Sequence, residues 1–198
     1  HDILGDQRVV VVGWSLGGFS ALSLTVHHPE RVAAAASLAG IVRGGVRGIT
    51  GLIARLARMP VIRHGVPMGL HLARSMPRVH AFVAEACTAK TSGSIPTAVL
   101  DEMHAAYQLH DARSTAAVMA AVPALDITAA LGSIRVPTWI AAGEHDPIVP
   151  LAESRRIADA IPGAKLKVYR EAGHMFFCEW PGVERDFAAW LDRVAPGP

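Results

Sequence analysis

Apolar residues are distributed along this chain in two patterns, and the switch between them divides it into three stretches. Val9-Val-Val-Val12 is an unbroken β-branched run between Gly5-Asp6 and Gly13. Such a run predicts a strand covered on both faces, as in a parallel sheet. The small-residue apolar stretch from Leu16 to His28, stopped by Pro29, predicts a helix, and Val32 to Leu38, ending at Ala39-Gly40, predicts a second strand. From Gly44 to Leu125 the strand pattern disappears. Helical stretches punctuated by Pro and Gly take its place, at Ile49–Arg58, Val66–Ser75, Arg78–Thr88, Pro96–Gln108 and Ser114–Ala121. Alternation then resumes with strand Thr138–Ala142, helix Leu151–Ala160, strand Lys165–Tyr169 and helix Val183–Val194.

Strand–helix–strand alternation on both sides of a helical block predicts an α/β fold with an insertion. The expected division is a core of residues 1–43 and 126–198, with an inserted helical domain at 44–125. A length of 198 residues, about half of them hydrophobic, suits this single core. The net charge is only +2, with acids and bases intermixed, so the basic cluster of a nucleic-acid surface is missing. Cys87 and Cys178 lie far apart, in no metal or redox spacing; they fit a reducing, cytoplasmic setting as small core residues. No apolar run approaches the roughly 18 residues of a membrane span, and no signal-peptide pattern precedes Val9. The chain begins with His1 rather than Met, eight residues before a strand that reads as buried.

The chemistry concentrates at the ends of these strands. Gly13-Trp14-Ser15-Leu16-Gly17 is a G-x-S-x-G sequence directly between a strand and a helix, where a nucleophile elbow belongs. The turn is expected to strain the backbone at Ser15, to require glycine at Gly13 and Gly17, and to offer the Leu16 N–H to a developing oxyanion. A serine hydroxyl needs a base. Of the ten histidines, His174 is the one just after the last strand and before the final helix. A carboxylate must then hold the imidazole in its working tautomer. Asp146, after strand Thr138–Ala142, is the candidate, with Glu144 as a rival on the same loop.

Taken together, Gly13-Trp14-Ser15-Leu16-Gly17-Gly18, Gly143-Glu144-His145-Asp146-Pro147-Ile148-Val149-Pro150 and Ala172-Gly173-His174 resemble the capped α/β-hydrolase superfamily. His28-Pro29-Glu30-Arg31-Val32 and Glu179-Trp180-Pro181 are similar to that family's connections. The Trp14 elbow is most similar to that of the pimeloyl-ACP methyl ester carboxylesterases. The resemblance implies a serine hydrolase in which Ser15 attacks, His174 transfers protons and Asp146 orients His174, with no metal or organic cofactor. It also implies that this chain supplies only the last four of the family's eight strands. The loop that carries the second oxyanion donor would then be missing, and the natural protein is expected to be longer at its N-terminus. Losing one such donor costs about 2.7–4 kcal/mol.

The expected partner is a small-molecule ester or acyl substrate, bound under a helical cap. Trp14, Met68, Phe82, Met119 and Met175 are candidate pocket residues, as are Met59, Met76, Met103 and Tyr107; each could equally pack cap helices together. Arg43, Arg47, Arg55, Arg58 and Arg63 could receive an anionic group or form a solvated face. Met175, Phe176 and Phe177 could cover the triad or anchor the last helix. Two other classes stay open: a carbon–carbon bond hydrolase, lactonase or thioesterase on the same triad, and a non-catalytic hydrolase-fold fragment or ligand receptor.

Overall fold

A computed structural model of the chain describes residues 5, 7–60, 62, 64–89 and 95–194. His1 and Arg63 lie outside them. Four strands, β1 (Val9–Trp14), β2 (Val32–Leu38), β3 (Thr138–Gly143) and β4 (Lys165–Tyr169), form one parallel sheet in the order β1-β2-β3-β4. Each neighbouring pair is joined by a helical crossover: α1 (Leu16–His27), then a block of five helices, then α7 (Leu151–Ala160). The block comprises α2 (Gly48–Leu56), α3 (Gly65–Arg74), α4 (Pro77–Glu85), α5 (Thr97–Gln108) and α6 (Ala112–Ala121). After β4 come a single turn, α8 (Phe176–Glu179), and the last helix, α9 (Val183–Val194).

Period-two alternation sorts the sheet residues onto two cores. Ala34, Ala36, Trp139, Ala141 and Tyr169 face Phe176 and Trp190, whereas Ala35 and Ile140 face Leu22, Ile157 and Ile161. The alanines of β2 leave room for Trp139, whose ring stacks on that of Trp190 with centroids 5.9 Å apart. β3, flanked on both sides and covered on both faces, is buried along its whole length.

β1 departs from expectation. Its outer edge has no sheet neighbour among the described residues, and Val12 is 47% exposed. The β-branched run is covered on both faces only in part. Val10 and Val11 each pack against one of the two cores, but the strand's free edge opens Val12 to solvent.

The two ends of the helical block lie side by side. Arg43 and Asp126 form an antiparallel bridge, flanked by Gly44 N–H to Leu125 O at 3.0 Å and Ile127 N–H to Val42 O at 2.9 Å. A side chain at Gly44 would collide with the backbone of Val122 and Pro123, so the neck is tight.

Candidate active site

The turn between β1 and α1 carries Ser15 at φ 56°, in the left-handed region that non-glycine residues rarely adopt. It is held there from both sides. The Ser15 N–H extends the sheet ladder to Leu38 O at 2.8 Å, while its carbonyl accepts from Gly18 N–H at 3.0 Å as α1 begins. A Cβ at Gly13 would collide with the Gly17 carbonyl, so glycine is required there. Gly17 has open space instead, contrary to expectation; the second tight position is Gly18, whose Cβ would come 2.6 Å from Ser37 Oγ and 2.7 Å from Gly40 Cα. The collision lies between α1 and β2, one residue further along than the motif suggests.

Ser15 Oγ lies 2.9 Å from His174 Nε2, and His174 Nδ1 lies 2.7 Å from Asp146 Oδ2. With Nδ1–H donating to the carboxylate, Nε2 is left to accept the serine proton. Asp146 is fixed in turn, because its Oδ1 accepts from Ile148 N–H at 2.7 Å and from Val149 N–H at 2.8 Å. Asp146 and His174 are buried, which strengthens their attraction. Glu144 is exposed on the same loop, and its rivalry ends there. Leu16 opens α1, where N–H groups lack acceptors within the helix and point toward the Ser15 side of the turn.

Trp14 packs against His174 itself. Its Nε1–H donates to the His174 carbonyl at 3.0 Å, the two rings lie 5.1 Å apart, and Phe177 meets the indole edge-on at 5.3 Å. The other pocket candidates scatter. Met175 is buried against Ala84 and Ile95, and Met119 packs on the cluster of Ile148 and Val149. Phe82 is 69% exposed, and Met68 lines an 830 Å³ cleft between α3 and α6 together with His64, His71 and Asp111. Phe176 stacks on Tyr169 at 4.9 Å and anchors the end of the sheet, whereas Phe177 is the one beside the elbow. Arg43 and Arg55, two of the arginine series, do not converge on one place. Arg43 pairs with Glu153 at 3.5 Å, and Arg55 turns back to the Gly51 carbonyl.

Other features gave no warning in the sequence. The His174 N–H donates to the Cys87 carbonyl at 2.8 Å, so the turn after α4, in the middle of the helical block, touches the histidine's own backbone. Burial, and after it the Asp146 carboxylate, pushes the Cys87 thiol up to about 11. Among the described residues no three His, Cys, Asp or Glu side chains are grouped to hold a metal ion. None of their helices is long and apolar enough to cross a membrane.

A parallel sheet with a strained serine between strand and helix, facing a histidine–carboxylate pair, defines an α/β-hydrolase of the serine-hydrolase kind. The family model Hydrolase_4 (serine aminopeptidase, S33) matches residues 3–181, and the chain belongs to that family. It is 28% identical over 199 aligned residues, 99% of this chain, to a protein of Variovorax paradoxus (strain S110) provisionally named carbamate hydrolase RutD, of which it covers 71%. It is 25% identical over 185 residues, 92% of the chain, to 2-hydroxy-6-oxononadienedioate/2-hydroxy-6-oxononatrienedioate hydrolase 2 of Pseudomonas putida, of which it covers 61%. The solved structure of a thermophilic esterase from Thermogutta terrifontis shares the fold, with a TM-score of 0.69 at 20% identity over 95% of this chain and 66% of that one. The chain thus spans between 61% and 71% of the length of these three proteins.

Proposed function

We propose that this chain carries the catalytic machinery of a carboxylic-ester hydrolase, with Ser15 as nucleophile, His174 as general acid–base and Asp146 as the group that orients His174. The observation that carries the reading is the continuous hydrogen-bond chain of 2.9 and 2.7 Å from a serine held at positive φ. Ser15 Oγ attacks the ester carbonyl carbon while its proton passes to His174 Nε2. The carbonyl oxygen becomes an oxyanion, met by the Leu16 N–H at the positive end of α1. As the intermediate collapses, the carbon–alkoxide bond breaks and His174 returns the proton to the departing alcohol. Water, deprotonated by the same imidazole, then attacks the acyl-enzyme and releases the acid. A second oxyanion donor beyond Leu16 is needed for full activity.

Residues 44–125 form the cap in this reading, inserted at the neck where Arg43 meets Asp126, and residues 1–43 and 126–198 form the core. The substrate is a small ester or acyl compound admitted beneath that cap, and the unpaired thiols of Cys87 and Cys178 suit a reducing cytoplasm. The names of the relatives keep two other substrate classes in view, a carbamate and a 2-hydroxy-6-oxononadienedioate, cleaved by the same three residues. Fluorophosphonate labelling of the 198-residue chain tests the first step. The modified residue is expected to be Ser15, and both Ser15→Ala and His174→Ala are expected to abolish labelling. Labelling elsewhere, or its persistence in either variant, overturns the assignment. Product analysis on ester, lactone, thioester, carbamate and β-diketone probes then separates the substrate classes.

A further inference from the structure

Ser15 and Asp146 project from turns anchored in the sheet, but the loop that carries His174 is held from a different direction. It lies against the segment that follows α4, with backbone on backbone. A Cβ on Gly173 would come 2.5 Å from Ala89 N and from Thr88 C, and 2.9 Å from Cys87 O. On its other side, a Cβ on Gly143 at the end of β3 would collide with the carbonyls of Gly173 and Ala172. Three backbone segments are therefore stacked without side chains between them, and their polar groups must find partners within the stack. The His174 N–H finds Cys87 O. The Gly173 and Ala89 N–H groups both turn to one side chain, that of Glu179. Gly173 N–H donates to Oε2 at 2.8 Å, and Ala89 N–H donates to Oε1 at 2.7 Å.

We infer that Glu179 is a positioning residue: its carboxylate bridges the His174 loop to the Cys87–Ala89 turn after α4, within the helical block, and so sets the imidazole against Ser15. The inference rests on the proposal that His174 is the base. A carboxylate suits this place because it offers two acceptors and no donor, and its bonds to N–H groups are charge-assisted. Glutamine, of the same shape, would turn an NH₂ toward one of the two N–H groups and lose that bond. Glu179 is well placed to transmit position, since it closes α8, whose Phe176 is locked on Tyr169. A shift of the helical block thus moves the imidazole, and catalysis depends on how the block is seated.

The test compares the wild-type chain with Glu179→Gln, Glu179→Asp and Asp186→Asn. The last is a control. Asp186 is another carboxylate holding two partners, Lys167 at 2.9 Å and Tyr169 at 3.3 Å, away from the elbow. Glu179→Gln is expected to slow fluorophosphonate labelling of Ser15 roughly 10- to 100-fold, the usual scale for a misplaced reacting group. On a turned-over ester the loss is expected in kcat with KM nearly unchanged, and amide exchange is expected to quicken at Gly173 and Ala89. Glu179→Asp, which keeps the charge but draws it back by one methylene, is expected to slow labelling as well while the chain stays folded. It decides the matter if the Gln variant does not fold. Asp186→Asn is expected to lower thermal stability and leave the labelling rate of the folded fraction unchanged. Folded Glu179 variants that label at the wild-type rate overturn the inference alone, as does slowing no greater than in Asp186→Asn. A wild-type chain not labelled at Ser15 overturns the catalytic reading, and this inference falls with it.

Discussion

At the elbow, small differences in where a methyl group would point decide what each residue tolerates. Gly17→Ala places its Cβ in open space in the first turn of α1, so it is expected to raise stability by about 0.5–1 kcal/mol through the lost backbone freedom of glycine. Gly18→Ala drives a Cβ against Gly40 and is expected to destabilise the chain; thermal melts of the pair check both signs. Asp146 is the residue whose charge does two things. It holds His174 Nδ1, so Asp146→Asn is expected to lower kcat by about 10⁴ while leaving the fold intact, as an imidazole in the wrong tautomer cannot accept the serine proton. It also adds to burial in holding the Cys87 thiol near 11 rather than at the ordinary 9.0. The thiolate is the reactive form, so Cys87 is expected to resist iodoacetamide at neutral pH. Alkylation should become faster in Asp146→Asn, although burial keeps it slow in absolute terms. Equal alkylation rates in the two proteins would mean that the carboxylate does not face Cys87.

The elements were largely legible because each obeys a local rule. β2, α7, β4 and α9 fall on their expected residues, and α1 ends just before Pro29 as expected, since strand alternation, amphipathic spacing and a proline stop depend on near neighbours. What escaped depended on contacts distant in sequence. Residue type alone marks the pocket candidates, yet type cannot say that Met175 faces Ala84 and Ile95 while Phe82 faces water. The bridge through Glu179 joins positions 90 residues apart, and nothing local marks it. The packing of α4 on α5 is of the same kind. There His80 lies 5.4 Å from the His104 ring and 5.1 Å from that of Tyr107, and burial, with His104 adding to it, lowers the His80 pKa from its ordinary 6.5. The folded state therefore binds this proton less readily than the unfolded chain does. Stability from this contact is complete above 6.5 and is lost as the pH falls below that value toward the lowered one. Denaturation across that window is expected to show the helical block weakening in acid, with a flatter dependence in His80→Leu; identical slopes would place the acid sensitivity elsewhere.

For the molecule as a whole, the sheet's stability and its exposure pull in opposite directions. β3 is covered everywhere, whereas β1, which carries the elbow, presents an outer edge that no described residue pairs. The chain matches its relatives over nearly its full length but spans only 61% to 71% of theirs. A β-branched strand with free N–H and C=O groups along one side is a template for pairing with another chain. Val12 is where that liability is open to repair. Val10 and Val11 pack into the cores on either face, so a charge there would cost folding, but Val12 stands 47% exposed at the edge. Val12→Lys is therefore expected to reduce self-association of this chain, seen as a lower weight-average mass in light scattering at equal concentration, with unchanged helix content. Val10→Lys, on the same face but packed against the core that holds Trp139, is expected instead to lower stability. If Val12→Lys associates as readily as the wild type, the sticky surface is not the β1 edge, and the exposed apolar side chains of the helical block, Met68, Leu72 and Phe82, become the place to look.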